Sequence, residues 1–192
     1  RQFEAELVVD EKSPEVTLTL STDSPQMTDD LHFPPQFRTR AGDWLVVPMN
    51  QGILYPVDDP SVEAPHSLRG YSGHGLSMPW FGVTDMEKGL MATFVDSADD
   101  MYADFGRGEK ERLSMSAVWQ PSKGSLRYER SITYRLFDSG GYVAMAKAYR
   151  EIAKEAGRFR SFREKRSANP DVDLLLGAPD VVPRLAAPMP LD

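Results

Sequence analysis

Leu76-Ser77-Met78-Pro79-Trp80-Phe81-Gly82-Val83-Thr84-Asp85 is the stretch on which the fold turns. It packs a proline-aromatic-aromatic-glycine corner between a loop rich in Gly, Ser and His and a second apolar run, Gly89-Leu90-Met91-Ala92-Thr93-Phe94-Val95. An aromatic held rigid at a loop–strand junction serves either as a core plug or as a platform for the apolar face of a sugar ring. For Trp80 the sequence leaves both open.

Strand-like sequence extends on both sides of this corner. Phe3-Glu4-Ala5-Glu6-Leu7-Val8-Val9 and Glu15-Val16-Thr17-Leu18-Thr19-Leu20-Ser21 alternate apolar and polar residues, the period of half-buried strands. Trp44-Leu45-Val46-Val47-Pro48 is almost wholly apolar and reads as a central strand, and Gly52-Ile53-Leu54-Tyr55-Pro56-Val57 as a second short one. Between these runs lie an irregular connection over residues 22–40 and a polar loop over 58–75, long enough to suggest function rather than spare length. Ser97 ahead of Asp99 and Asp100 predicts a short helical turn over 97–105. Residues 112–120 and 127–137 alternate again and read as a hairpin turning at Gly124, with a charged solvent face.

The pattern changes at Asp138-Ser139-Gly140-Gly141. Tyr142, Met145, Ala146, Tyr149, Ile152, Ala153 and Ala156 recur at helical spacing, and Gly157 marks the stop. A basic connector follows (Arg158, Arg160, Arg163, Lys165, Arg166), then a proline-rich segment without periodicity. Many strands followed by one amphipathic helix predict a mainly β fold, an antiparallel β-sandwich with a C-terminal helix and an extended tail. The expected boundaries are a sandwich over 1–138, helix and connector over 139–180, and the tail over 181–192.

Composition excludes more than it identifies. A net charge of −7 argues against a nucleic-acid partner, which needs a basic surface. The absence of cysteine removes disulfides, thiolate metal sites and Cys nucleophiles. It suits a cytoplasm and a bacterial secreted protein equally, so the compartment stays open. No apolar run approaches the ~20 residues that span a bilayer. A first residue of Arg implies sequence upstream.

Chemistry-bearing residues are sparse. Asp58-Asp59 and the group Asp96, Asp99, Asp100, Asp104 are the densest acids, but they lie in polar stretches, where carboxylates ionise and solvate. The second group offers oxygen ligands for calcium without the alternating spacing and central Gly of a calcium loop. His32, His66 and His74 have no metal-ligand spacing, and no nucleophile-elbow motif occurs. Trp44 and Trp119 fall inside strand patterns and read as core. Trp80, Tyr71, His74, His66 and Asp58 make up the candidate substrate-binding set, an aromatic wall with polar groups beside it. No catalytic residue, cofactor or metal ligand is assigned.

The order of four motifs carries a resemblance. Trp44 through Pro56, the Met78-Pro79-Trp80-Phe81-Gly82 corner, Gly89-Leu90-Met91-Ala92 and the helix Tyr142-Val143-Ala144-Met145-Ala146-Lys147-Ala148-Tyr149-Arg150 resemble the N-terminal β-sandwich of large glycoside hydrolases with a (β/α)8 catalytic barrel. The similarity is to the α-N-acetylgalactosaminidase families and their uncharacterised bacterial relatives, over residues 15–180. It implies a galactose-mutarotase-like sandwich bridged to the barrel by the helix, Glu164-Lys165 and Gly177-Ala178-Pro179. Catalytic carboxylates would lie on barrel strands beyond Pro179, where this chain ends within a few residues.

The resemblance therefore implies a non-catalytic accessory sandwich, with carbohydrate and a catalytic domain, in the same or a companion chain, as partners. The alternatives are a stand-alone carbohydrate-binding module, which should bind sugar unaided, and a structural domain, in which Trp80 serves stability alone.

Overall fold

The computed structural model describes residues 3–23, 29–64, 66–69, 75–94, 100–121, 124–126 and 128–177, except for the side chains of His66 and Arg69. The chain divides into two compact units, Arg1–Tyr149 and Arg150–Asp192.

The first unit contains two antiparallel sheets. In spatial order the larger holds β1 (Glu4–Val9), β2 (Glu15–Ser21), β11 (Arg130–Phe137), β8 (Gly89–Thr93), β7 (Trp80–Thr84), β4 (Trp44–Val47) and β5 (Ile53–Pro56). The smaller holds β3 (Leu31–His32), β10 (Leu113–Trp119), β9 (Met101–Arg107) and β6 (His66–Arg69). Their facing sides share one core. Leu18, Leu20, Leu45, Val47, Phe81, Ala92 and Ile132 come from the larger sheet, and Met101, Phe105, Leu113, Met115 and Trp119 from the smaller. The expected antiparallel sandwich is what forms. Trp119 is fully buried, and its indole N–H donates to the Phe33 carbonyl at 2.6 Å, tying the irregular connection to β10. From that connection Phe37 packs its ring on Phe81, 5.3 Å between centroids.

Several local expectations are corrected. Residues 101–107 form a strand, not a helical turn, because Met101, Ala103 and Phe105 alternate into the core and that burial outweighs the capping signal ahead of them. The 112–120 and 127–137 strands are not a hairpin. β10 pairs with β9 and β3, whereas β11 pairs with β2 and β8 in the other sheet. The polar 58–75 loop contains β6, which pairs with β9 with His66 opposite Phe105. β1 is an edge strand exposed along its whole length, because it lies beyond β2 where no second layer covers it. Trp44 is half-buried rather than fully core.

The other face of β7 explains the glycines beside the corner. α1 (Gly141–Glu155) seats Met145, which is fully buried, over Gly82 and Gly89. A Cβ at Gly82 would lie 2.9 Å from both Met145 Sδ and the Leu90 carbonyl oxygen, so only a residue without a side chain admits the helix this closely. Met145 and Ala153 are buried on α1 as the periodicity predicts, but Tyr142 and Ala146 on the same stripe are exposed.

The described residues of the second unit hold the end of α1, a short helix and a 3₁₀ turn, with irregular connections between them. The helix started at Gly141 closes here: Gly157 has φ 66°, its N–H donates to the Lys154 carbonyl, and the Arg158 N–H donates to that of Ala153. That pairing is a Schellman stop, which satisfies the last carbonyls. α2 (Phe162–Ala168) begins with a reciprocal capping box between Ser161 and Glu164. The 3₁₀ turn Pro170–Leu175 leaves Leu174 and Leu175 exposed, followed by an exposed Leu176.

Candidate functional site

Of the expected binding set, the side chains of Trp80 and Asp58 are described, and these two lie apart. Trp80 opens β7 and is only 3% exposed; its ring faces Tyr149 of α1, 6.2 Å between centroids. An indole covered in this way has no free face for a sugar, so the geometry of Trp80 is that of the core plug. Its Nε1 finds no hydrogen-bond partner among the described residues. Asp58 lies elsewhere. Thr84, Trp44 and Pro56 are paired across one end of β7, β4 and β5, and Asp58 lies just past Pro56. Trp80 is four residues back along β7, roughly 13 Å at strand rise. Tyr71 and His74 lie outside the described residues, as does the His66 side chain, although the His66 backbone opens β6.

Asp58 acts as a pin. One carboxylate oxygen accepts from the Gly42 N–H at 2.9 Å, and the other pairs with Arg112 Nε at 2.9 Å. Arg112 also donates to the Thr39 carbonyl, and the Thr39 hydroxyl donates to the Leu113 carbonyl. The Gly42 N–H and then the Arg112 guanidinium hold the Asp58 carboxyl below its ordinary value of 3.8. A depressed carboxyl stabilises the fold above its unfolded pKa, and that stabilisation is lost as pH falls through the folded value. Asp58→Asn is accordingly expected to flatten the decline in thermal midpoint below about pH 4, measured by circular dichroism from pH 6 to pH 2. An unchanged acid limb would remove the pin from the account.

The segment that Asp58 steadies borders a concave site that the sequence did not reveal. The cavity is ≈ 350 Å³. Val83, Leu90, Leu136 and Phe137 give it apolar surface, and register sets three of them in a row, Val83 opposite Leu90 and Leu90 opposite Leu136. Arg38, Arg40, Lys88, Asp43, Asp85 and Asp138 provide its charged groups. Thr39 is tied to β10 and Arg112, which fixes the backbone from which Arg38 and Arg40 project. The 85–88 turn is equally constrained. Asp85 accepts from the Glu87 and Lys88 N–H groups at 2.9 and 2.7 Å, and these bonds hold its carboxyl below the usual range. Thr84 donates to the Lys88 carbonyl at 2.6 Å, and the Glu87 carbonyl accepts from the Gly141 N–H. Asp43 accepts from the Arg40 N–H at 2.7 Å. The available signal was the charged Asp85-Met86-Glu87-Lys88 turn between two apolar strands; Arg38 and Arg40 join it only in three dimensions.

A second polar cluster is built around a buried cation. Arg130 is fully buried, with its guanidinium 3.5 Å above the Tyr128 ring. It donates to the Tyr128 carbonyl at 3.0 Å and pairs with Asp100 at 3.4 Å, while the Tyr128 hydroxyl donates to the same Asp100 oxygen at 2.9 Å. Burial lowers the Arg130 pKa, opposed by Tyr128 and Asp100. Of the acids weighed for calcium, Asp100 thus already faces a cation, and Asp104 accepts from Ser67 at 2.7 Å. Asp96 and Asp99 lie outside the described residues. No cluster of three potential metal ligands occurs among the described residues, and no described helix is long and apolar enough to cross a membrane.

No protein-family model matches the sequence, and no curated protein gives a significant sequence match. Solved structures do match. The α-N-acetylgalactosaminidase NagBb of Bifidobacterium bifidum, in complex with GalNAc, aligns over 88% of this chain at 23% identity with a TM-score of 0.74. Its quadruple mutant aligns over 90% at 24% identity and a TM-score of 0.76, and its ligand-free form over 88% at 24% and 0.71. The alignments cover 28–29% of that enzyme's chain. This chain therefore folds like a part of that glycosidase amounting to less than a third of its length.

Proposed function

We propose that the chain is the accessory β-sandwich of a glycoside hydrolase, packing on a (β/α)8 catalytic domain and lending loops to its sugar site. The observation that carries this reading is the fold match across nearly the whole chain to a minor part of an α-N-acetylgalactosaminidase. A sandwich presents loops rigidly while a partner domain supplies proton transfer. The 58–75 segment, with His66, Tyr71 and His74, is the part assigned to the sugar site. Asp58 holds the base of that segment, and Trp80 serves the packing of β7 on α1.

The electrostatics are in keeping with a non-catalytic role. Hydrolysis of a glycosidic bond uses a carboxylic acid whose pKa is raised. Each described carboxyl with a resolved shift is displaced downward: Asp10, Asp58, Asp59, Asp85, Glu151 and Glu164. Leu174, Leu175 and Leu176 are 80%, 54% and 65% exposed, an apolar run suited to burial against another protein surface.

Two measurements test the proposal. The isolated chain is expected to leave aryl α-N-acetylgalactosaminides intact, and turnover by the purified chain would overturn the non-catalytic assignment. It is also expected to bind the dye ANS and to lose much of that signal on combined replacement of Leu174, Leu175 and Leu176 by serine. An isolated chain silent towards ANS would overturn the packing role.

A further inference from the structure

We propose that the cleft between the Arg38–Arg40 segment, the 85–88 turn and the end of β11 is a carbohydrate subsite belonging to the sandwich itself. Two features argue for a built site. Its walls are held by bonds that do not involve the cleft's own cations: Thr39 to Leu113 and Arg112, Asp85 to the backbone of its turn, and Gly141 to Glu87. The Arg38 and Arg40 side chains make no hydrogen bond or ion pair among the described residues, so their guanidinium donors are available to a ligand, whereas Arg107, Arg112 and Arg130 are committed internally. Leu136, at 56% exposed, leaves the apolar row open to solvent.

The chemistry of the lining selects the ligand class. Three cations and three carboxylates share the rim, so a simple anion would face Asp43, Asp85 and Asp138 at close range, and a simple cation would face Arg38, Arg40 and Lys88. A wholly apolar ligand would strip water from six charged groups without replacing their hydrogen bonds. A neutral polyhydroxylated ring satisfies both sets. Its hydroxyls accept from guanidinium and ammonium donors and donate to carboxylates, while its C–H face lies on Leu90 and Leu136. The volume of ≈ 350 Å³ falls within the range of about 300–1,000 Å³ typical of small-ligand sites.

The choice of a sugar over other neutral polyols rests on the glycoside-hydrolase reading. The location does not, since it follows from the lining alone.

Titration of the 192-residue chain with N-acetylgalactosamine and with galactose, followed by NMR chemical-shift changes, tests the subsite. Saturable binding is expected for at least one sugar. It should weaken about tenfold or more in an Arg38→Ala/Arg40→Ala variant and in Leu136→Asp, but not in Arg163→Ala in the second unit. All these side chains are exposed, so retained folding is checked by circular dichroism before titration. Saturable binding that the cleft variants leave unchanged would overturn the location. Absence of saturation by either sugar would overturn the subsite, including the case in which a neighbouring domain fills the cleft. Neither result bears on the aryl-glycoside and dye measurements, so failure here is distinguishable from failure of the hydrolase reading.

Discussion

Trp80→Ala is expected to lower the unfolding free energy by about 3–5 kcal/mol, the cost of deleting a large aromatic from a packed interior. The ring is 3% exposed and lies against Tyr149, so its removal opens a void between β7 and α1 that a backbone paired into the sheet cannot close. For a chain of this size the loss corresponds to a fall in thermal midpoint of roughly 6–20 °C. Trp80→Phe is the informative companion. It keeps most of the apolar volume and removes the indole N–H, which has no partner among the described residues and whose burial costs about 1–3 kcal/mol. The phenylalanine variant should therefore lose less than half of what alanine loses. Equilibrium urea denaturation of both variants measures the difference. An alanine variant within about 0.5 kcal/mol of the parent, as for an ordinary surface substitution, would return Trp80 to the role of an open ligand wall.

The second large effect concerns Arg130 and is asymmetric. Asp100→Ala leaves a guanidinium with no solvent exposure facing an apolar methyl, and loss of one partner of a buried pair costs about 3–5 kcal/mol. Asp100 keeps 26% of its side-chain exposure, so about 3 kcal/mol is the expected figure. Arg130→Met removes the charge while filling much of the same volume, and such a replacement is often neutral or stabilising. It also removes a buried Nε without a partner among the described residues. The methionine variant should lie within about 1 kcal/mol of the parent, and the double variant should resemble it rather than Asp100→Ala. Equal losses in the two single variants would mean that the ion pair is not what holds this corner. Tyr128→Phe should also cost stability, because Asp100 would lose the 2.9 Å hydroxyl bond while the ring remained under the guanidinium.

These two sites show where reading the sequence succeeded and where it stopped. The alternation over 112–120 puts Leu113, Met115, Ala117 and Trp119 on one side of a strand, and all four are buried, because alternation over seven residues is a local property. The α1 periodicity was legible for the same reason at Met145 and Ala153, yet Tyr142 and Ala146 lie on the stripe and are exposed; periodicity sets a face but not how far its cover extends. Arg130 alternates with Tyr128, Ile132, Tyr134 and Leu136 on one face of its strand, a pattern that does not reveal how a charge among them is partnered. Its burial follows from β11 crossing to the larger sheet, and the ten residues between β10 and β11 carry no mark of whether they turn back or cross over.

Among the site residues the division is similar. Asp58 was singled out, but its partners Gly42 and Arg112 are 16 and 54 positions away. The cleft assembles residues from 38 to 138, through two polar segments and three strands, and no spacing rule connects them.

By itself the sequence determined the strand-rich class, the position and stop of the helix, the absence of thiol chemistry and the order of motifs that resembles glycoside hydrolases. The first three rest on composition or on periodicities of a few residues, and the last on a resemblance of motif order. Tertiary structure alone decided the sheet to which each strand belongs, the burial of Trp80 and Arg130, and the existence of the cleft. The physical reason is that pairing and burial depend on contacts between segments far apart in the chain. Near-identical alternating patterns can add to either sheet, and only the packing of both around one core selects between them.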